Sequence, residues 1–317
     1  MAGRTARRRI TRIRVGGTAA DDTETASTEP AATTVSEHAD LLAAEEPLGI
    51  RIGGEAVSLT MRTPGDDIDL TAGFLFSEGI VGSAADIVSI RICDGSQCGH
   101  DHEADDAMGN IADVTLRAGL TAGSRRNFLT SSACGVCGNA SIAELRVPGR
   151  FGLDEDQVQV PAGVLAGLPD ALRRAQRVFE RTGGLHAAGL FSATGELLAI
   201  REDVGRHNAV DKIVGWALRG GLLPLRGCLL LVSGRASFEL VQKAVLAGVP
   251  VLAAVSAPSS LAAELADDAG LTLVGFVRDR SMNVYTCPGR VIPAREVNSP
   301  RPGRAGLGGG AEPGQPW

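Results

Sequence analysis

The feature that most constrains this chain is a set of three apolar segments, at residues 228–233, 249–255 and 271–277, separated by helical periodicity at about 237–247 and 259–269. Strands without polar alternation are buried on both faces, and helical crossovers make consecutive strands parallel neighbours. The second half of the chain therefore reads as α/β, a mainly parallel sheet flanked by helices. Two amphipathic helices precede it. One spans about 164–181, and the other begins at Arg206-His207-Asn208 and places Val210, Ile213, Val214 and Ala217 on one face.

Between about 48 and 147 the signals are mixed. Strands are expected near 57–61, 87–92, 111–116 and 142–147, with a helix over 67–78 after the Pro64-Gly65-Asp66-Asp67 turn. This predicts a smaller α+β region over 46–160, followed by the α/β domain over 161–297. Residues 1–45 carry six arginines between Arg4 and Arg14 and then an Ala/Thr/Glu/Asp tract with little to bury, so a disordered tail is expected. The Pro/Gly/Arg-rich stretch 298–317 reads as a second tail.

In an open parallel sheet, ligands sit beyond the carboxyl ends of the strands. The three ends carry Ser233-Gly234-Arg235, then Ser256 through Ser259-Ser260, then Arg278-Asp279-Arg280-Ser281. Free amides at helix starts and forked guanidinium donors suit a phosphate or pyrophosphate. At any one end, Ser237 and Ser259 also serve as ordinary helix caps and the arginines as surface charge. Convergence of three such ends favours an anionic, nucleotide-like ligand. The densest polar cluster, Arg201-Glu202-Asp203-Val204-Gly205-Arg206-His207-Asn208, leads straight into a helix. It is read either as a ligand contact or as a turn in which Asp203 caps and His207 decorates.

The chemical centre is Thr130-Ser131-Ser132-Ala133-Cys134-Gly135-Val136-Cys137-Gly138-Asn139. Glycines and small polar residues make poor helix and poor strand, so an exposed loop bearing a nucleophilic thiol is expected. A buried inert pair is disfavoured there, and a thioredoxin-type dithiol normally opens a helix. Two rivals stay open. One is a zinc site, with Cys93-x4-Cys98-x-His100-x-His102 supplying further ligands. The other is a loop that carries sulfur as a persulfide. Nucleobase deamination is excluded, because His186-Ala187-Ala188 lacks the proton-shuttling Glu and the C-x-x-C precedes the His.

Composition narrows the classes further. A net charge of −6 leaves no broad basic face, so nucleic acid is not expected as the main ligand. No apolar run approaches the roughly 20 residues of a membrane span. The basic start is not followed by an apolar signal region, so a cytoplasmic protein with reduced thiols is expected. Of 31 basic residues only Lys212 and Lys243 are lysines.

Six co-ordered motifs carry a resemblance. They are Met61-Arg-Thr-Pro-Gly-Asp-Asp67, Gly73-Phe-Leu-Phe-Ser-Glu-Gly-Ile80, Cys134-Gly-Val-Cys137-Gly138, Thr182-Gly-Gly-Leu-His-Ala-Ala-Gly189, Glu202-Asp-Val-Gly-Arg-His-Asn-Ala-Val-Asp-Lys212 and Ser233-Gly-Arg-Ala-Ser-Phe-Glu-Leu240. Together they resemble the formate dehydrogenase accessory sulfurtransferase family, FdhD. The resemblance implies a cytidine deaminase-like fold, a homodimer, and a sulfurtransferase that takes sulfur from a cysteine desulfurase onto a loop cysteine. It implies delivery to the molybdenum (or tungsten) bis(molybdopterin guanine dinucleotide) cofactor, which formate dehydrogenase needs for activity. By motif, Cys134 matches the persulfide carrier and Cys137 its partner. Phe276-Val277-Arg278-Asp279-Arg280-Ser281 matches a cofactor-binding segment, joined at the rim by His207, Ser233 and Arg235. The competing class is a zinc-stabilised nucleotide-binding regulatory protein without covalent chemistry. The insert 93–102 falls outside the motifs. Cys228 is expected in the core and Cys287 is not expected to be essential.

Overall fold

The computed structural model describes residues 3–15, 33–93, 110–120 and 149–293. The chain begins with β1 (Thr5–Val15) and β2 (Thr33–Ala43), followed by β3 (Glu46–Ile52), β4 (Glu55–Arg62), α1 (Asp67–Ser77), β5 (Ile87–Cys93) and β6 (Ile111–Leu116). Next come β7 (Val160–Pro161), α2 (Ala162–Ala175), α3 (Arg177–Thr182), β8 (His186–Ser192), β9 (Leu197–Asp203) and α4 (Arg206–Arg219). The last third holds β10 (Cys228–Val232), α5 (Phe238–Leu246), β11 (Val251–Ala254), α6 (Ser260–Asp268), β12 (Thr272–Arg278), β13 (Ser281–Val284) and β14 (Val291–Ile292).

The principal sheet has six strands in the order β13-β12-β11-β10-β8-β9. It is mixed, and this corrects the expectation of a mainly parallel sheet. Only β10–β11 and β11–β12 pair in parallel, while β10–β8, β8–β9 and β12–β13 are antiparallel. The helical crossovers were legible in the sequence, and they produced the two parallel pairs. Short turns join β8 to β9 and β12 to β13 and permit only antiparallel pairing there, while β8 meets β10 antiparallel across the intervening β9–α4 segment. A four-stranded sheet, β4-β3-β6-β5, lies in the N-terminal part.

Alternation along the central strands divides two cores. Leu230 and Val232 pack with Leu48, Ile50 and Val114 of the four-stranded sheet and with α1, α4, α5 and α6. Leu229 and Leu231 face the other side, against Leu165, Leu168 and Leu172 of α2. The N-terminal sheet and the principal sheet thus share one core. Among the described residues, no helix is long and apolar enough to cross a membrane.

Two further expectations are corrected. The stretch read as a disordered tail contains an antiparallel ribbon, β1–β2, in which Arg8 faces Asp40 and Ile13 faces Val35. Its base is tied down by Ala44 N–H donating to Arg4 O and by the Arg4–Asp66 ion pair. A backbone ladder satisfies its own polar groups without burying side chains, so a low apolar content did not preclude strands there. The single helix expected over 164–181 is two helices, parted at Gln176. The Glu202 carboxylate accepts the Val178 and Phe179 N–H groups at 3.0 and 2.8 Å, capping a new helix start with a residue distant in sequence. The expected strand at 142–147, the Cys134/Cys137 loop, Cys98, His100, His102 and the stretch 298–317 lie outside the described residues.

Helices α1 and α4 pack backbone against backbone. A Cβ at Gly73 would stand 1.9 Å from Asp211 O, and one at Gly215 would stand 1.8 Å from Asp69 O. Neither position accepts a side chain unless the helices separate. Gly215→Val is therefore expected to cost more than about 3 kcal/mol or to abolish folding, whereas Gly167→Ala, in open space on α2, stabilises by up to about 1 kcal/mol. Urea unfolding of the two variants checks the contrast.

Candidate functional site

Strand directions gather chemistry on one rim of the principal sheet. The carboxyl ends of β9, β10, β11 and β12 share an edge with the start of β8, where His186 pairs with Asp203. Ser233 follows β10 directly, and its hydroxyl accepts the Ala187 N–H at 2.9 Å. The loops after β10 and β11 clasp each other: Ala236 N–H donates to Ala257 O and Ser259 N–H to Ala236 O.

Beside this rim lies a cavity of about 590 Å³, within the range of small-molecule sites. His186, Ser233 and Val255 line it from the sheet, and Arg173, Gln176 and Phe179 line it from α2 and α3. The Arg173 guanidinium lies over the Phe179 ring, 4.3 Å from its centroid. His186 is half-buried, and burial, with Arg206 and His207 nearby, lowers its pKa below the usual imidazole value. At neutral pH it is an uncharged ring in a basic setting. Gly234 leaves the gap between them open, since a Cβ there would sit 3.4 Å from His186 Nδ1 and 3.8 Å from Arg206 Cδ. The Arg206 Nε is buried without a hydrogen-bond partner. The rim therefore offers cationic and polar donors to an anionic group.

The cluster Arg201–Asn208 divides between the two roles foreseen for it. Asp203 is fully buried and structural. Its carboxylate accepts the Thr63 N–H, the Gly205 N–H, Asn208 Nδ2 and Lys212 Nζ, the last at 2.7 Å. Arg201 is likewise committed, to Asp69 at 2.9 Å. His207 does more than decorate: its Nε2 is 3.2 Å from Ser237 Oγ and 3.7 Å from Glu239 Oε2. The neighbouring His207 ring, 3.7 Å away, pulls the Glu239 pKa down to about 2. Hydroxyl and carboxylate meet the same ring nitrogen, so this is not a hydrolase triad, which needs them on opposite nitrogens. Ser259 is an ordinary N-cap, accepting the Ala262 N–H at 3.3 Å. Ser237 opens α5 without a side-chain cap bond.

The segment 276–281 is a tight β12–β13 hairpin rather than a strand-to-helix loop. Asp279 and Arg280 both have positive φ, 51° and 60°, and link Arg278 to its cross-strand partner Ser281. Ser281 Oγ donates to Arg278 O. Phe276, also at positive φ (53°), stands where the register shifts, and Arg278 lies over its ring, 5.6 Å from the centroid. Val277 is fully buried in the α2-side core, so its side chain packs the sheet and does not face the rim. Arg235 is exposed on the loop after β10. His186, Arg206 and Arg173 were absent from the sequence-derived site. The polar cluster and the Thr182–Gly189 motif contained two of them, but only strand pairing shows that they meet. Among the described residues, no group of three or more His, Cys, Asp or Glu is placed to hold a metal. Cys228 is half-buried against the core rather than within it, and burial, with Asp156 nearby, raises its thiol pKa.

Comparison with known proteins defines the lineage. A model of the FdhD/NarQ family matches residues 43–292. The chain belongs to the FdhD/NarQ family. It is 56% identical over 255 residues to a sulfur carrier protein FdhD of Mycolicibacterium paratuberculosis, covering 80% of this chain and 92% of that one. It is 52% identical over 294 residues to the Streptomyces coelicolor sulfur carrier protein FdhD, covering 90% and 95%. A crystal structure from Desulfotalea psychrophila, described as that of a formate dehydrogenase accessory protein, superposes with a TM-score of 0.66 at 23% identity, over 92% of this chain and all of that one. At that identity the match speaks for the fold alone.

Two outcomes test the site's framework. Lys212→Met leaves the Asp203 carboxylate buried and uncompensated, so a loss of about 3–5 kcal/mol is expected in chemical denaturation. Because the Glu239 pKa is lowered from 4.5 to about 2, its stabilisation is complete above pH 4.5 and is lost as pH falls toward 2. The stabilities of wild type and Glu239→Gln should therefore coincide near pH 2, separate as pH rises to 4.5, and keep their full difference above it.

Proposed function

We propose that this protein is a sulfurtransferase that carries sulfur from a cysteine desulfurase, as a persulfide on Cys134, to the molybdenum of bis(molybdopterin guanine dinucleotide), in service of a formate dehydrogenase. Membership of a family whose relatives, at 52–56% identity, are sulfur carrier proteins carries this assignment. The chemistry of the rim supports it. Two guanine dinucleotides bring pyrophosphates, and the guanidinium groups of Arg206 and Arg278 at the strand ends suit such groups. A cytidine deaminase-like fold, a cytoplasmic location and a homodimer belong to the same proposal.

Loading is a thiol exchange. The Cys134 thiolate attacks the outer sulfur of the desulfurase persulfide, a new S–S bond forms as the old one breaks, and the desulfurase cysteine leaves as a thiolate. In delivery, Cys137 attacks the sulfur of Cys134 and expels hydrosulfide toward the metal, the substrate of the step. The Cys134–Cys137 disulfide left behind needs two electrons from a thiol reductant before the next cycle. Within this scheme Arg206, His207, Ser233, Arg235 and the 276–281 hairpin bind and orient the nucleotide arms.

Incubation with a desulfurase and cysteine should add roughly 32 Da, one sulfur atom, to the peptide containing Cys134. Cys134→Ala should lose both this adduct and formate dehydrogenase activation while unfolding like wild type. A fully active Cys134→Ala protein would move the carrier role to Cys137 or end the proposal.

A further inference from the structure

Tyr285 follows β13, and its backbone N–H donates to Leu273 O at 2.8 Å. Its ring reaches along the sheet toward the rim. A Cβ at Gly275, two residues nearer the carboxyl end of β12, would stand 3.0 Å from Tyr285 Cε2, 2.8 Å from Pro258 Cδ and 3.3 Å from Ser256 O. The bare glycine therefore lets the phenol ring and the Pro258 ring close over one point of the strand. Pro258 belongs to the rim itself, in the loop after β11, and bridges to Ala236 in the loop after β10. Among the described residues Tyr285 is the only exposed aromatic side chain, at 42%. The nearby Phe276 ring is already covered by the Arg278 guanidinium. A half-open ring held at its edge offers a flat surface, and every nucleobase has a π-face to lay on it. Arg278 stands three residues beyond Gly275, at most about 10 Å along the strand, a separation that one nucleoside diphosphate spans.

We propose that Tyr285 is a specificity-determining residue of the rim: its ring stacks on the base of a nucleotide whose phosphates meet the guanidinium groups of the β12–β13 hairpin. The nucleotide rests on the preceding proposal, and the stacking residue deepens it. Pro258 and Gly275 set where the ring lies and need not touch the base. Such a surface reads the presence of a base and not its identity, because stacking tolerates any base. It separates a nucleotide from free pyrophosphate, which the arginines alone do not.

The test uses the full-length protein, with guanosine diphosphate and inorganic pyrophosphate as probes. Calorimetry should show Tyr285→Ala weakening guanosine diphosphate roughly ten- to a hundredfold, the range of one aromatic–base stack, while pyrophosphate binds as it does to wild type. Tyr285→Phe keeps the ring and should bind both probes like wild type. Tyr285 is the chain's one tyrosine, so ring-labelled wild-type protein gives a single set of tyrosine signals. Those ring protons should move upfield with guanosine diphosphate and stay in place with pyrophosphate, a readout that needs no variant to fold. If wild type binds guanosine diphosphate with the tyrosine signals unmoved, or a normally folded Tyr285→Ala protein loses both probes equally, the stacking role is overturned and the nucleotide reading stands. If wild type does not bind guanosine diphosphate, both are overturned.

Discussion

The buried ion pair between Asp203 and Lys212 is the junction on which the rest depends. Both side chains are essentially withdrawn from water, at 0% and 1% exposure. The pair joins three parts of the molecule, since Lys212 Nζ also donates to Thr63 O, and Asp203 accepts the Thr63 N–H and Asn208 Nδ2. A buried carboxylate with four donors is tolerable; with one donor removed it is not. The end of β9, the start of α4 and the loop leading into α1 are therefore held in one arrangement, and His207 sits one turn from its centre.

The two lysines repay comparison with the arginines. Lys243 is also buried and paired, with Asp211 at 2.7 Å. In a chain whose other basic side chains are mostly arginine, both lysines fill interior sites: Lys212 meets the Asp203 carboxylate and the Thr63 carbonyl, and Lys243 both oxygens of Asp211. The buried Arg62 differs in kind: its flat fork spreads across Asp67, Glu46 and Asn110. Asp211 and Asp69 belong to this framework as well, and they flank the crossing where Gly73 and Gly215 let α1 and α4 touch through their backbones. That crossing binds the N-terminal sheet to the principal one.

Much of the scaffold was legible because its signals are local. The helices starting at Asp67, Arg206, Phe238 and Ser260 follow apolar periodicity, and β10, β11 and β12 follow unbroken apolar runs. β8 and β9 gave no comparable signal: His186-Ala-Ala-Gly mixes small residues whose strand identity comes from pairing with β10. The break at Gln176 was hidden because its cause, Glu202, is 26 positions away in sequence. The ribbon β1–β2 was hidden for the opposite reason. Its strands bury little, so composition resembled that of a tail.

At the site the same division holds. Sequence alone determined that hydroxyls, arginines and glycines follow the apolar strands, and that a glycine-flanked Cys-x-x-Cys is present, because residue identity and spacing are one-dimensional facts. Only the tertiary structure decided that Asp203 and Arg201 are framework, that Val277 turns into the core, and that His186, Arg206, His207 and Glu239 stand at one edge. Those outcomes depend on strand direction and on which buried charges find partners, and both are set by segments far apart in the chain.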